Sequence, residues 1–325
     1  MKAAWYERNG PAREVLQVGE METPVPEDGE VRVKLRFSGI NPSDVKSRRG
    51  SRAMAGPRVI PHSDGAGVID AVGPGVDAAR IGQRVWTWNA QYGRPFGTAA
   101  EYVVLPSAQA VTLTANTTFE TGAVFGIPAL TAWRALTIEG GCVGPTVLVA
   151  GGAGAVGFYA VQMAHLLGAK RVFATTGSAD KARVAERAGA DAVFSYRDPG
   201  LADAVLQATD QRGVDRIVEL DIASNAPVDM KMIVPGGHLI VYGSAKPAFE
   251  LEFWPMIVKD VGLRAFVVYG LPEAVRRDGE TALTDWTRSD LLTHRPVIAF
   301  PLDEIAAAHE LVEAGTAEGS VLLTL

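Results

Sequence analysis

A glycine-rich turn is the part of the sequence whose spacing points most directly to chemistry. Gly152, Gly154 and Gly157 form a GxGxxG pattern directly after the short apolar run 146–150. In such a turn the first glycine permits a tight bend, the second lets the backbone approach a pyrophosphate, and the third allows close packing of helix and strand. The following helix directs its N-terminal amides at the negative charge. The pattern predicts a dinucleotide site, and the alternative is an ordinary glycine-rich strand–helix turn.

The end of the next predicted strand bears on which dinucleotide binds. NAD enzymes place Asp or Glu about twenty residues after the glycines to hold the ribose 2′-hydroxyl, whereas the segment 174–178 contains no acid. A carboxylate would repel a 2′-phosphate, so its absence favours NADPH, with Lys181 and Tyr196 as candidate donors to that phosphate. The alternative is that Lys181 is a solvated helix residue and Tyr196 a ring at a strand end.

The content of cysteine and histidine limits metal and disulfide chemistry. Cys142 is the only cysteine, so an intrachain disulfide and a four-cysteine zinc site are excluded. The five histidines show no HxxxH or HxH spacing that would present two ligands on one face. No metal site is predicted, although a zinc centre assembled from distant residues remains the alternative.

Composition narrows the class of protein. The 325 residues suggest two domains, and 47% apolar with 21% charged residues excludes disorder as the main state. The net charge is 31 − 37 = −6, which argues against nucleic acid as the main partner. No stretch reaches the length of an apolar membrane span, and the N-terminus lacks the apolar segment of a signal peptide. We therefore expect a cytoplasmic protein without a membrane partner.

Two patterns of elements must position these residues. The first third contains short alternating strands separated by Gly/Pro turns, which predicts a small barrel-like domain with strands near 31–37, 68–72, 83–88 and 101–105. From residue 146 strands and helices alternate, which predicts a doubly wound parallel sheet of the α/β class. Its predicted strands are 146–150, 171–176, 192–196, 215–220, 238–243 and 263–269, with helices near 155–167, 179–188, 201–210 and 225–234.

The segments around this alternating region set the domain boundaries. Thr117 and Glu120 fit a capping box that would start a helix reaching Leu136. Past residue 270 come a long polar helix, a strand at 297–302, a helix at 303–313 and a last strand at 320–325. This tail has no partner in the α/β region, so we expect it to return to the N-terminal domain. The predicted division is 1–120, 121–267 and 268–325, with the first and last parts forming one discontinuous domain.

With these residues in view, the sequence resembles the zinc-independent quinone reductases of the medium-chain dehydrogenase/reductase superfamily, in particular the zeta-crystallin-like branch. Four separate segments carry the resemblance in the right order: 39–44, 63–69, 126–136 and 235–244. The resemblance implies a Rossmann domain and a discontinuous GroES-like catalytic domain. It also implies metal-free hydride transfer from NADPH to quinones or related electron-poor acceptors, and a homodimer or homotetramer.

The resemblance also implies roles for particular residues. Asn41 and Ser63 stand where zinc-dependent relatives have a Cys and a His ligand. Asn41 is the candidate donor to the growing enolate-like oxygen, and Lys46 is the second catalytic candidate. The implied cofactor contacts are Gly152, Ala153, Gly154, Ala155, Val156 and Gly157 at the pyrophosphate turn; Gly177, Ser178, Lys181 and Tyr196 at the adenosine end; Asn225, Tyr242, Gly243 and Ser244 at the ribose and pyrophosphate; and Phe266, Val267, Val268 and Thr131 at the nicotinamide.

The chain departs from the family pattern at three positions. Lys46 replaces a tyrosine near the cofactor, His62 replaces a glycine, and Ser320 replaces a lysine of the last strand. The Lys46 replacement puts the family's tyrosine contact in doubt.

Two alternative functions remain open at the level of sequence. An enoyl or alkenal reductase would use the same hydride donor on a C=C bond, and an arginine cluster at Arg48, Arg49, Arg52 and Arg58 would suit the phosphate of an acyl-CoA. A solvated loop is the ordinary explanation of that cluster. The non-enzymatic alternative is an NADPH-binding structural or RNA-binding protein.

Overall fold

The computed structural model describes all residues, Met1 to Leu325, and its chain divides into two compact units. The discontinuous unit contains Met1–Pro128 and Glu280–Leu325, and the continuous unit contains Ala129–Gly279. The strands are β1 Lys2–Trp5, β2 Gln17–Glu20, β3 Glu30–Gly39, β4 Asp64–Val72, β5 Arg84–Thr87, β6 Tyr102–Pro106, β7 Ala110–Thr112, β8 Thr146–Val149, β9 Arg171–Thr176, β10 Ala192–Ser195, β11 Val214–Glu219, β12 Ile233–Val241, β13 Gly262–Ala265, β14 Val297–Pro301 and β15 Ser320–Thr324.

The helices complete the chain. They are α1 Ala12–Val15, α2 Pro42–Lys46, α3 Phe119–Gly122, α4 Gly126–Thr137, α5 Ala155–Leu166, α6 Ala179–Arg187, α7 Leu201–Ala208, α8 Ile222–Met232, α9 Phe253–Val258, α10 Glu273–Arg288 and α11 Ile305–Ala314. Short helical turns cover Ser47–Ser51, Ala78–Arg80, Ser107–Gln109, Val268–Gly270 and Leu302–Glu304. No helix is both long enough and apolar enough to cross a membrane.

The continuous unit is built on a six-stranded, entirely parallel sheet. Its order is β10-β9-β8-β11-β12-β13, so the first strand of the unit lies in the middle and the order reverses between β8 and β11. Leu148, Phe173, Ile217 and Leu239 bury one face of the sheet against α7 and α8. The predicted doubly wound α/β sheet is confirmed. Ligands of such sheets bind at the strand carboxyl ends where the order reverses.

The discontinuous unit is built on a seven-stranded sheet. Its order is β14-β15-β3-β4-β5-β7, and β6 pairs with β3 as well. The last strand of the chain pairs with β3 through Leu322 and Gly39, which confirms that the C-terminal tail returns to the N-terminal strands. The alternating apolar residues Val31, Val33 and Leu35 of β3 are buried, because a strand with one wet face points every second side chain at the core.

The predicted start of the helix after residue 117 is wrong by one residue. Thr118, not Thr117, is the N-cap of α3, and its hydroxyl accepts from the Thr121 amide at 3.2 Å. Thr117 is unavailable for capping because its hydroxyl lies 2.6 Å from that of Thr114. The helix-like stretch to Leu136, in which the sequence predicts an interruption at Pro128, is divided before Gly126, into α3 and α4. Pro128 lies in the first turn of α4, where the amide that proline lacks needs no acceptor.

Candidate functional site

The glycine turn of the continuous unit connects β8 to α5, as the GxGxxG pattern predicts. A Cβ atom on Gly157 would lie 2.2 Å from the carbonyl oxygen of Gly151, and one on Gly152 would lie 2.6 Å from the Cβ of Ala174. Gly151 has a φ of +68°, which favours glycine. The structure therefore leaves no room for a side chain at Gly152 or at Gly157.

Gly154 has a different environment from the other two glycines. It is exposed, and a Cβ there would meet only the Gly151 carbonyl oxygen, at 3.2 Å. Gly154 is the N-cap of α5, so the amides of Ala155, Val156 and Gly157 belong to the first turn and have no acceptor within the helix. An open backbone beside unpaired amides of a twelve-residue helix fits a pyrophosphate. Ala153 is buried just before this turn.

The carboxyl ends of β9 and β10 meet at a second part of this edge. A Cβ on Gly177 would lie 2.2 Å from the hydroxyl oxygen of Tyr196, so only glycine leaves this tyrosine in place. The Ser178 hydroxyl caps α6 by accepting from the Lys181 amide at 3.3 Å. Arg197 places its guanidinium carbon 5.9 Å from the centre of the Tyr196 ring. The side chains of Lys181, Tyr196 and Arg197 are exposed.

The ends of β11 and β12 carry the predicted ribose-side residues. Asn225 donates from Nδ2 to Oε1 of Glu219 at 3.0 Å, which fixes the orientation of the Asn225 amide. A Cβ on Gly243 would lie 2.3 Å from the Leu220 carbonyl oxygen, and the Ser244 hydroxyl donates to the Lys246 carbonyl at 2.7 Å. The backbone of this loop is thus closely packed against the end of β11.

A buried acidic pair lies beneath that loop. Glu219 is fully buried and Asp229 is 3% exposed. Burial raises the pKa of both carboxyl groups, and the Glu219 charge raises the pKa of Asp229 further. Burial, followed by the Glu219 charge, also raises the pKa of the partly exposed Tyr242. The environment of Asn225 and Tyr242 therefore disfavours the ionised forms of the acidic side chains around them.

The predicted nicotinamide contacts follow β13. Phe266 donates its amide to the Val241 carbonyl at 3.0 Å, and the strand ends at Ala265 instead of continuing to 269. Val267 is exposed, and Val268 begins a helical turn. Thr131 lies buried in α4. The three residues after β13 are thus a loop at the strand end rather than part of the sheet.

The first catalytic candidate, Asn41, lies in the discontinuous unit at the start of α2. It is 5% exposed, and Asp44 closes a capping box by accepting from the Asn41 backbone amide at 2.7 Å. The side-chain Nδ2 of Asn41 donates to Oδ2 of Asp64 at 2.8 Å. Burial raises the pKa of Asp44 to about 7 and that of Asp64 to about 8. Asn41 is the only one of these three side chains with N–H groups to offer a ligand.

Lys46, the second catalytic candidate, lies at the end of the same helix. Its side chain is exposed, and no hydrogen bond or ion pair holds it. The helix brings Asn41 and Lys46 onto one short element but does not bring their side chains into contact.

The arginine cluster after α2 is largely committed to partners within its own unit. Arg48 is fully buried and pairs with Glu313, which Arg49 also contacts at 2.7 Å. Arg58 pairs with Glu7 at 2.7 Å, and Arg52 lies over the ring of Tyr92 at 5.6 Å. Two carboxylates, those of Glu313 and Glu7, therefore pair with three of the four arginines that the sequence offered to an acyl-CoA phosphate.

A chain of buried, hydrogen-bonded polar groups runs from Asp64 to His309 within the discontinuous unit. Thr98 donates its hydroxyl to the Asp64 carbonyl at 2.6 Å, so the Ser38 hydroxyl must donate to Thr98 at 2.8 Å. Nδ1 of His62 then donates to Ser38 at 2.8 Å, and Nε2 of His309 donates to Nε2 of His62 at 2.8 Å. This order leaves Nδ1 of His309 as an acceptor with no partner.

The chain departs from the family pattern at His62, and the structure shows how a side chain is tolerated at this position. Its φ is +76°, in the left-handed region that favours glycine. The ring's two hydrogen bonds, to Ser38 and His309, help to offset the strain of a side chain in that conformation, which is about 1–2 kcal/mol. Both ring nitrogens of His62 are thereby engaged within the protein. Ser63 is buried beside it.

The structure contains no group of three or more His, Cys, Asp or Glu side chains that could hold a metal ion.

Three residues with clear places in these sites were missed by sequence reasoning. Asp64 lies within a segment used only for resemblance, although an acid at the start of an apolar strand is a signal of a buried carboxylate. Glu219 gives the same signal at the end of β11. Arg197 follows Tyr196 directly and could have been considered with Lys181 as a phosphate ligand.

The comparisons with known proteins agree with this geometry. The family model described as the alcohol dehydrogenase GroES-like domain matches residues 27–115, and that described as zinc-binding dehydrogenase matches residues 155–284. A quinone oxidoreductase of Lama guanicoe is 32% identical over 96% of this chain and 94% of its own length.

Two solved structures match the whole chain. A structure described as an NAD-dependent alcohol dehydrogenase has a TM-score of 0.91 at 29% identity, with 100% of each chain covered. A mycobacterial protein in complex with NADPH has a TM-score of 0.88 at 27% identity, with the same coverage.

The parallel sheet, its glycine turn and the GroES-like unit define a pyridine-nucleotide-dependent oxidoreductase of the medium-chain dehydrogenase/reductase superfamily. Within that superfamily, the chain belongs to the quinone oxidoreductase family.

Proposed function

We propose that this protein is an NADPH-dependent quinone oxidoreductase. The observation that carries the proposal is the likeness to a quinone oxidoreductase over nearly the full length of both chains. That likeness includes both the glycine turn and the segment that places Asn41 at the start of α2. When bound, NADPH supplies the hydride that reduces the acceptor.

The continuous unit would hold the cofactor along the carboxyl edge of its sheet. The first-turn amides of α5 would bind the pyrophosphate, and the open backbone at Gly154 would let it approach. The Asn225 amide, oriented by Glu219, would lie toward the ribose, and the loop at Phe266, Val267 and Val268 would offer backbone groups to the carboxamide. Thr131, Tyr242, Gly243 and Ser244 complete the proposed contacts.

The preference for NADPH over NADH rests on charge at the ends of β9 and β10. No carboxylate lies at Thr176, Gly177 or Ser178 to hold a 2′-hydroxyl. Lys181 and Arg197 would instead pair with the 2′-phosphate, and the Tyr196 hydroxyl would donate to it. The Ser178 hydroxyl keeps the first turn of α6 in place beside them.

The discontinuous unit would supply the group that stabilises the reduced acceptor. As the acceptor gains a hydride, negative charge develops on its oxygen, and an amide N–H aimed at that oxygen lowers the barrier. Asn41 provides such an N–H, and the exposed Lys46 is the nearest candidate along α2 for supplying a proton. Because Arg48, Arg49 and Arg58 already pair with carboxylates of the same unit, a quinone fits this unit better than an acyl-CoA does.

We also propose that the protein is a homodimer formed through the edge strand β13. This strand has an unpaired edge, and α9 beside it exposes Phe253, Trp254, Ile257 and Val258. Large exposed apolar patches of this kind are typical of protein interfaces. A second copy could cover the patch and extend the sheet.

The proposed function is tested by steady-state reduction of 9,10-phenanthrenequinone with NADPH and with NADH. We expect turnover with a lower KM for NADPH. In the variants Lys181→Ala and Arg197→Ala, the KM for NADPH should rise about tenfold while the KM for NADH changes little, because each lost charge-assisted contact is worth about 1.5–3 kcal/mol.

Lys170→Ala is the matched control, since Lys170 is an exposed lysine that precedes β9, at the opposite end of the strand from the carboxyl end that leads to Lys181. No quinone turnover with either nucleotide would contradict the proposed function. Equal losses with NADPH and NADH would contradict the assignment of the 2′-phosphate contacts.

A further inference from the structure

We propose that Asp64 is a positioning residue for reduction: its buried carboxyl group holds the Asn41 amide so that one N–H remains directed to the acceptor oxygen. This inference rests on the proposed function, because it assigns the group that makes Asn41 an effective donor. Asp64 itself touches neither the acceptor nor the cofactor.

Asp64 joins two elements through one side chain. Its Oδ2 accepts from Nδ2 of Asn41 at 2.8 Å and from the backbone amide of Ile127 at 2.9 Å, and its Oδ1 lies 3.1 Å from the same amide. Asn41 starts α2, and Ile127 lies in the first turn of α4. The carboxyl group therefore ties the donor to the N-terminal end of a twelve-residue helix.

The contact with Asp64 determines which end of the Asn41 amide is the donor. Oδ2 of Asp64 accepts from the Ile127 amide and from Asn41, so the end of the Asn41 amide that faces it is the nitrogen. The nitrogen carries two hydrogens, and Asp64 takes one of them. The other is the N–H that an acceptor oxygen can meet. Without Asp64, the amide could rotate and present its oxygen, which would repel the developing negative charge.

The surroundings of Asp64 leave its carboxyl group no alternative position. A Cβ on Gly126 would lie 2.2 Å from Oδ1 of Asp64, and one on Gly39 would lie 2.0 Å from the Ala123 carbonyl oxygen. Thr98 holds the backbone by donating to the Asp64 carbonyl at 2.6 Å. Gly126 thus leaves room for this carboxyl group, Thr98 holds its backbone, and Asp64 is fully buried.

A purely structural role gives a different expectation. If Asp64 only caps α4, its removal should lower stability and should affect turnover equally whether or not Asn41 is present. If Asp64 acts through Asn41, its removal should matter only while the Asn41 amide is there to be misplaced. Coupling between the two substitutions distinguishes these cases.

The experiment is a double-mutant cycle of Asn41→Ala, Asp64→Asn and the double variant, with Asp70→Asn as the matched control. Asp70 lies on the same strand and pairs with Arg32 at 2.9 Å, away from Asn41. We expect Asn41→Ala to lower kcat roughly 100-fold. Asp64→Asn should lower kcat roughly tenfold to 100-fold when Asn41 is present, and less than about twofold when residue 41 is alanine.

NADPH affinity, measured by fluorescence titration, should stay within about twofold of the wild type in every variant, because the hydrogen bonds of Asp64 go to Asn41, Ile127 and Thr98, none of which is a proposed nucleotide contact. Equal factors for Asp64→Asn in both backgrounds would overturn the inference, as would wild-type turnover in Asp64→Asn. Absence of quinone turnover in the wild type would overturn the proposed function instead.

If the wild type shows no quinone turnover, a measurement that does not depend on turnover still tests the role of Asp64. The side-chain NH2 signals of Asn41 can be identified by ¹⁵N NMR as those lost in Asn41→Ala. They should move strongly in Asp64→Asn and stay in place in Asp70→Asn. Unchanged Asn41 side-chain signals in Asp64→Asn would overturn the positioning role.

Discussion

Single residues in the discontinuous unit depend on partners that lie far away in the sequence. His309 and His62 stack with ring centres 5.0 Å apart and share one hydrogen bond, although 247 positions separate them. Burial lowers the pKa of His309 to about 3, with the Arg48 charge acting in the same direction, and burial holds the pKa of His62 well below its usual value. Both rings are therefore neutral in the folded protein at neutral pH.

Neutral buried histidines make stability depend on pH in a definite direction. An unfolded histidine has a pKa of about 6.5, so between that pH and about 3 the unfolded chain binds a proton that the folded His309 excludes. Stability should therefore fall as the pH falls below about 6.5, by at most about 1.4 kcal/mol per pH unit per histidine.

The variant His309→Gln tests this prediction, because glutamine can still donate to His62 but does not titrate. Urea unfolding at pH 7.5 and pH 5 should show a smaller loss of stability in the variant than in the wild type. Equal losses would contradict the neutral state of His309. The raised pKa values of Asp44 and Asp64 act in the opposite direction, since their stabilisation is lost as the pH rises through about 7 and 8. Both proteins share that contribution, so it cancels in the comparison.

Elements were more predictable than the contacts between their side chains. The six parallel strands and four intervening helices follow from apolar runs and glycine turns, and the central strands β8, β9 and β11 are buried on both faces. The strand predicted at 238–243 begins at Ile233, because the whole Pro-Gly-Gly segment lies within β12, with Pro235 and Gly236 exposed at an irregularity. The Thr118 cap was missed, and Thr117 was predicted in its place, because the sequence does not show which of two neighbouring hydroxyls bonds to the helix.

The candidate site was predictable only where backbone geometry demands glycine. Gly152, Gly157 and Gly177 each lack room for a Cβ, so their residue type reports the structure directly. Asp64 and Glu219 act through hydrogen bonds to side chains on other elements, and single-sequence patterns carry no information on such pairs.

At the scale of elements, β13 and α9 lead to a prediction about assembly. If a second copy covers this edge, the double variant Trp254→Glu with Val258→Glu should shift the protein from dimer to monomer, because charge is costly in a buried apolar interface. Light scattering after size-exclusion chromatography measures the change. Val25→Glu is the matched control, since Val25 is 77% exposed in the other unit. A monomeric wild type, or a double variant that remains dimeric, would contradict the proposed interface.

The whole molecule combines a nucleotide-binding unit with a unit that carries Asn41, the proposed donor. The first unit follows a common plan, and the neighbours that share it include one described as NAD-dependent and one in complex with NADPH. What distinguishes this chain is therefore its own charges: an acid-free end of β9 with cations beside it, and an arginine cluster that pairs largely with Glu313 and Glu7. Together these features favour NADPH and an uncharged acceptor.

The most direct test is the rate of NADPH oxidation by the purified protein against 1,4-benzoquinone, 9,10-phenanthrenequinone, an alkenal and crotonyl-CoA, each measured with and without EDTA. We predict that the kcat/KM for a quinone exceeds that for the alkenal and for crotonyl-CoA by about tenfold or more, and that EDTA has no effect. A preference for crotonyl-CoA or the alkenal would contradict quinone reduction as the function, and so would NADPH binding without turnover of any acceptor.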